Sequence, residues 1–173
     1  MISRALYRAR QFAGALRPRR EAAERAQAAG VLGEALIPLF DSMSLRDQRH
    51  CFGVYRTLAA QGCCDSHLLM AALLHDAGKG RLAGADIRLW HRVAYVVLGA
   101  GAPALLNRLA GGRGGPFAGP RAGLAALHHH GQRGAALAHG LGAPPAVVEL
   151  IARHEDASPT DERLRLLRAA DDA

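Results

Sequence analysis

Seven side chains, spaced along 173 residues, are of types that could hold a metal ion and meet an anion beside it. They are His50, His75, Asp76, Lys79, His130, His154 and Asp171. Imidazole and carboxylate together favour divalent transition ions. A lysine close to them would add a positive charge for an anionic substrate. Their spacing suggests how they meet. His50 stands about ten residues before a turn at Gly62–Asp65, and His75 about ten after it. At a rise of 1.5 Å per residue each climbs roughly 15 Å from the turn, so two antiparallel helices bring both to one end. Asp76 adjoins that pair. Lys79 follows at i+3 from Asp76 and i+4 from His75, and Gly78 and Gly80 beside it mark the end of a helix.

A second hairpin repeats the arrangement. His130 precedes the turn Gly140–Pro145 by about ten residues, and His154 follows it by about ten. Three histidines run together at 128–130, so His129 is the alternative to His130; the i+4 step to Gly134 favours the latter. Asp171 falls on the apolar side of a last helix with Leu164 and Leu167, where a carboxylate is costly unless paired or bound to metal. Glu155 and Asp156 are candidates to orient a ligand histidine, and Arg133 and Arg153 to meet phosphate. His67, His91, His128 and His139 read as ordinary surface or core residues, and Leu89, Trp90, Val93 and Val97 as core packing.

The elements that must position these groups are helical. Ala, Leu, Gly and Arg dominate, half the residues are apolar, and β-branched runs are nearly absent. Helices are expected at about 21–43, 46–61, 65–77, 86–109, 121–139, 145–155 and 160–172. Residues 2–16 form an amphipathic segment rich in arginine. The fold class is thus all-α, a single compact bundle of about 6–8 helices, with residues 1–20 as a basic N-terminal helix and 21–173 as the domain. The Gly/Pro-rich stretch Gly111–Pro120 is a candidate lid.

Charge and cysteine content narrow the function classes. The formal net charge is +7, of which +6 lies in residues 1–20, leaving about +1 for the rest. With no basic, aromatic-rich stripe, sequence-specific nucleic-acid binding is not indicated. The basic end suits a weak contact with a membrane surface. Cys51, Cys63 and Cys64 make no disulfide framework and point to a reducing compartment. The most apolar stretch, Val93–Leu106, falls short of the roughly 20 residues that span a bilayer. A cytoplasmic location is expected.

In order and spacing, His50, the His75-Asp76 pair in LLHDAGKG and Asp171 in RAADD resemble the H…HD…D pattern of the HD-domain metal-dependent phosphohydrolases. His130 in HHHGQRGA and His154 in IARHED are similar to the two further histidines of binuclear members. The resemblance spans about residues 46–172. It implies an HD-type helical bundle with one or two divalent ions (Mn, Fe, Zn, Co or Mg). His50, His75, Asp76 and Asp171 would hold the first and Asp76, His130 and His154 the second, with Asp76 and Lys79 as catalytic groups. It also implies a small-molecule phosphoester substrate, a nucleotide or dinucleotide being favoured. The GYP signature of the cyclic-dinucleotide enzymes is absent and His154 is followed by Glu155, which argues against that substrate. The alternative reading is a non-catalytic module of the same fold that binds a ligand or partner.

Overall fold

The computed structural model describes residues 22–84, 87–111, 118–156 and 158–173. Among them are nine α-helices, two short 3₁₀ turns and no strand, so the all-α expectation is met. The basic segment 1–20 and most of the candidate lid, residues 112–117, lie outside the described residues. No helix among the described residues is long and apolar enough to cross a membrane.

Helix α1 (Ala22–Ser42) is bent at Gly33, whose φ of +68° a residue with a side chain rarely adopts. Helices α2 (Leu45–Ala60) and α3 (Ser66–Leu74) form the first hairpin, and α7 (His130–Gly140) and α8 (Pro145–Arg153) the second. Both hairpins turn on the same device. Gly62 (φ +81°) follows α2, with the Cys63 N–H donating to Leu58 O at 3.1 Å. Gly142 (φ +83°) follows α7, with the Ala143 N–H donating to Ala138 O at 2.9 Å. In each case glycine takes the left-handed position and the next amide satisfies a carbonyl that the helix end leaves open. The core lies between these hairpins, α1 and α9 (Glu162–Asp171), and includes Leu39, Leu58, Leu73, Ile151 and Leu167.

Two expected helices are each broken in two. The stretch 86–109 is α4 (Leu89–Gly101) and α5 (Pro103–Gly111), because Pro103 disfavours helical backbone at Ala102, which takes φ −151° and ψ 61°. The stretch 121–139 is α6 (Ala118–His128) and α7, separated at His129. The helix expected over 65–77 ends at Leu74; a 3₁₀ turn, Ala77–Lys79, continues the chain. His50 lies in the second turn of α2, whose first turn is capped by Ser44. A further correction concerns α4. Leu89, Trp90, Val93 and Val97 are exposed rather than core, and the single buried residue of that helix is His91.

Candidate metal centre

The site residues lie at the ends of the two hairpins remote from their turns, and there their histidines converge. His50 comes from α2, His75 caps α3, His130 opens α7, His154 caps α8 and Asp171 ends α9. Three of the four histidines share one local construction. The His75 Nδ1 lies 2.9 Å from Ala72 O, the His130 Nδ1 2.7 Å from Leu127 O, and the His154 Nδ1 2.8 Å from Ile151 O. Each of these carbonyls belongs to the last turn of the preceding helix, α3, α6 or α8, where the helix supplies no amide to it. A carbonyl only accepts, so each Nδ1 must carry the hydrogen. The neutral ring then presents Nε2 as a bare lone pair.

The Nε2 atoms of the four rings face one another in pairs. His130 Nε2 is 3.0 Å from His154 Nε2, and His75 Nε2 is 3.3 Å from His50 Nε2. His130 and His154 thus set two acceptors against each other, which a shared proton or a metal ion would relieve. Carboxylates complete the arrangement. Asp76 Oδ1 lies 3.2 Å from His130 Nε2 and 3.8 Å from His75 Nε2. Asp171 Oδ1 lies 2.7 Å from His50 Nε2 and 3.5 Å from His75 Nε2. The ligand atoms form two clusters, His50/His75/Asp76 and Asp76/His130/His154, with Asp76 common to both. A nitrogen and oxygen donor set of this kind, with three of its four rings fixed by a hydrogen bond on the far nitrogen, fits a divalent ion.

The electrostatics follow from burial and neighbours. Burial works against charge on Asp76, but Lys79, His75 and His130 outweigh it and hold the carboxyl well below its usual range. Burial likewise opposes the charge of Lys79; the Asp76 carboxylate, 2.6 Å from Nζ, reverses that and keeps the ammonium. Burial opposes the charged form of Asp171 too, and hydrogen bonds with His50 and His75 prevail, so it stays ionised. His75 is desolvated, yet Cys51, Asp76 and Asp171 raise its pKa well above that of an ordinary histidine. His154 goes the other way, to about 3, through burial and then the neighbouring His75 and His130.

The structure brings together His50, His75, Asp76, Lys79, His130, His154 and Asp171. It also separates His130 from His129: His130 is 2% exposed and faces Asp76, whereas the His129 ring lies edge-on to His128. The four other roles weighed for the surroundings resolve differently. Leu127 O, not an acid, holds His130 Nδ1, and Glu155 stands 3.7 Å away. Asp156 pairs with Arg153, which also reaches Glu149. Arg133 donates to Ala83 O, tying α7 to the second 3₁₀ turn (Arg81–Ala83).

Two features escape the reading of the sequence. Asp47, 3% exposed, takes both guanidinium nitrogens of Arg92 at 2.9 and 2.7 Å, anchoring α4 to α2 beside the centre. The S-x-x-D spacing of Ser44 and Asp47 was a visible signal of the helix start, and Ser44 Oγ lies 3.2 Å from the Asp47 amide. Its partner 45 residues away carried no local signal. The second feature is Gly78. A Cβ there would fall 1.9 Å from His130 O and 2.8 Å from the Gly134 amide, so the turn bearing Asp76 and Lys79 lies directly against the start of α7.

No family model, curated protein or solved structure matches the chain.

Proposed function

We propose that this chain is a metal-dependent phosphohydrolase of the HD type, acting on a small phosphoester. The observation that supports this most directly is the pair of ligand clusters sharing the Asp76 carboxylate, with imidazole Nε2 atoms aimed at each other across each half. His50, His75, Asp76 and Asp171 would hold one ion, and Asp76, His130 and His154 the other. When bound, divalent ions there would acidify a water molecule and neutralise phosphoryl oxygen charge.

The chain's own groups do the rest. The Nδ1–H bonds to Ala72, Leu127 and Ile151 fix the three ring orientations before any substrate arrives. Asp76 stays ionised and available as a shared ligand. Lys79 keeps its proton at Nζ and sits 2.6 Å from Asp76, placed to meet a phosphate oxygen at the edge of the centre. His50 and Asp171 have side chains 18% and 34% exposed, so the site opens to solvent on their side. The preference for a nucleotide or dinucleotide rests on the resemblance of the ordered motifs.

Elemental analysis of the purified chain beside a His75→Ala/Asp76→Ala variant tests the reading. One or two transition ions per chain, lost in the variant, together with metal-supported hydrolysis of a generic phosphodiester, is the expected result. A chain that takes up no Mn, Fe, Zn or Co on reconstitution would instead be a binding module. Metal without hydrolysis would assign the ions a structural role.

A further inference from the structure

Helix α4 is built inside out. Its polar residues point inward: His91 is 2% exposed, with Nδ1 accepting the Arg88 N–H at 2.9 Å, and Arg92 reaches Asp47 of α2. Helix α6 presses on the same side, since a Cβ on Gly123 would stand 2.5 Å from the His91 ring. These contacts fix the rotation of α4 about its axis. At 100° per residue, Leu89, Trp90, Val93, Val96 and Val97 then share one outward arc of about 120°. All five are 44–62% exposed, and no charged or polar residue of the helix falls within that arc.

A continuous apolar stripe on a surface helix marks an interaction site. Its partner's chemistry can be read from charge. Residues 87–148 hold six arginines and not one acid, Arg92 being paired with Asp47 and Arg133 bonded to Ala83 O. The near-neutral sum outside residues 1–20 conceals this: the acids are confined to residues 21–86 and 149–173. Residues 1–20 are likewise acid-free, with six arginines. A second copy of the chain would bring two acid-free, cationic segments face to face, whereas an anionic lipid surface offers hydrocarbon to the stripe and negative charge to the arginines.

We propose that the outward face of α4 docks on an anionic lipid surface, with Leu89, Val93, Val96 and Val97 dipping below the headgroups and Trp90 at their level. An interfacial helix lies parallel to the membrane plane, which suits the length and orientation of α4 and requires no spanning segment. The arginines of residues 1–20 would add attraction without forming this face.

Trp90 is the only tryptophan, so its fluorescence reports on the stripe alone. The full chain is mixed with vesicles of phosphatidylcholine, with and without phosphatidylglycerol, and followed by sedimentation and Trp90 emission. The expected result is co-sedimentation with the anionic vesicles and a blue shift of Trp90, both reversed by salt. A Val93→Asp/Val97→Asp variant should bind about tenfold more weakly or worse, and a milder Val97→Ser variant should fall between, with helicity and metal content unchanged in both. Sedimentation that survives in the variants without a Trp90 shift would overturn the proposal in favour of residues 1–20. A Trp90 shift that grows with protein concentration in the absence of lipid, alongside a dimer by ultracentrifugation, would assign the face to a second copy. No binding to anionic vesicles would also refute it.

Discussion

The two halves of the candidate centre are made by the same device and differ in what surrounds them. Each is a helical hairpin turned by a left-handed glycine, and each uses a histidine at a helix terminus whose Nδ1–H ties to a carbonyl of the preceding turn. The inner half, His130 and His154, is 2% and 7% exposed and shares Asp76 as its carboxylate ligand. The outer half, His50 and His75, has Asp171 as well, and its His50 and Asp171 side chains reach solvent. Burial, with His75 and His130 beside it, keeps His154 free of a second proton. Cys51 and the carboxylates of Asp76 and Asp171 hold a proton on His75 despite its burial. A symmetrical construction therefore yields two unlike half-sites, one preorganised and dry, one open and charged. The open half is the side on which a substrate would enter.

What joins the halves is the 3₁₀ turn after His75, and the largest expected effect comes from breaking that joint. In Gly78→Ala the new methyl group meets the His130 carbonyl and the Gly134 amide, both backbone, so no side chain can swing aside. Either the turn or the start of α7 must move. The cost should be about 3 kcal/mol, the upper end for overpacking, which lowers the melting temperature by about 6–12 °C in a domain of this size. Because the turn carries Asp76, metal should be lost from both halves together. Calorimetry and elemental analysis of the variant check this; a normal melting point with full metal content would show the joint to be looser than the structure has it.

Much of this centre was legible in the order of residues, for a physical reason. A helical hairpin converts sequence distance into height above a turn, so His50 with His75, and His130 with His154, could be paired by counting from Gly62 and Gly142. The all-α class was legible from composition. The helix ends were not. Periodicity carries straight through His75 and His129, and what stops the helices there is tertiary: the ring of each site histidine takes the place of the next helical contact, and the Gly78 turn fits against His130. Orientation of α4 was misjudged for a related reason. Leu89, Trp90, Val93 and Val97 have the spacing of a core face, and spacing cannot say which side of a helix is covered. The polar His91 and Arg92, with their distant partners Gly123 and Asp47, decide that side.

An intermediate effect should come from removing one ligand from a single half. Asp171→Asn leaves the outer half with His50, His75 and the shared Asp76, because Asp171 meets His50 and His75. Loss of an outer-shell partner already costs about 10–100-fold in metal affinity, and loss of a direct carboxylate should cost at least that at the outer half alone. The counterpart, His154→Ala, strips the inner half and leaves the outer one. Metal titrations of the two variants should show one surviving binding step each, and with Co(II) the two surviving spectra should differ. Loss of both steps in Asp171→Asn would mean that the halves do not bind separately.

The smallest effect requires no mutation. His75 holds its proton to a higher pH than an ordinary histidine, so below that pKa a metal ion must displace a proton from it. Apparent affinity of the outer half should then fall by about tenfold per pH unit as the solution is acidified. His154 has its pKa near 3, so acidification through pH 6 and 5 adds no proton to it, and Asp76 stays ionised over the same range. Falling pH should therefore release metal through His75 before it acts on His154 or Asp76, and so empty the outer half first. Co(II) absorption followed from pH 8 down to pH 5 would reveal two separated losses, with the outer spectrum, identified through His154→Ala, disappearing first. A single concerted loss would mean that the bridging Asp76 couples the halves more strongly than their different burial separates them.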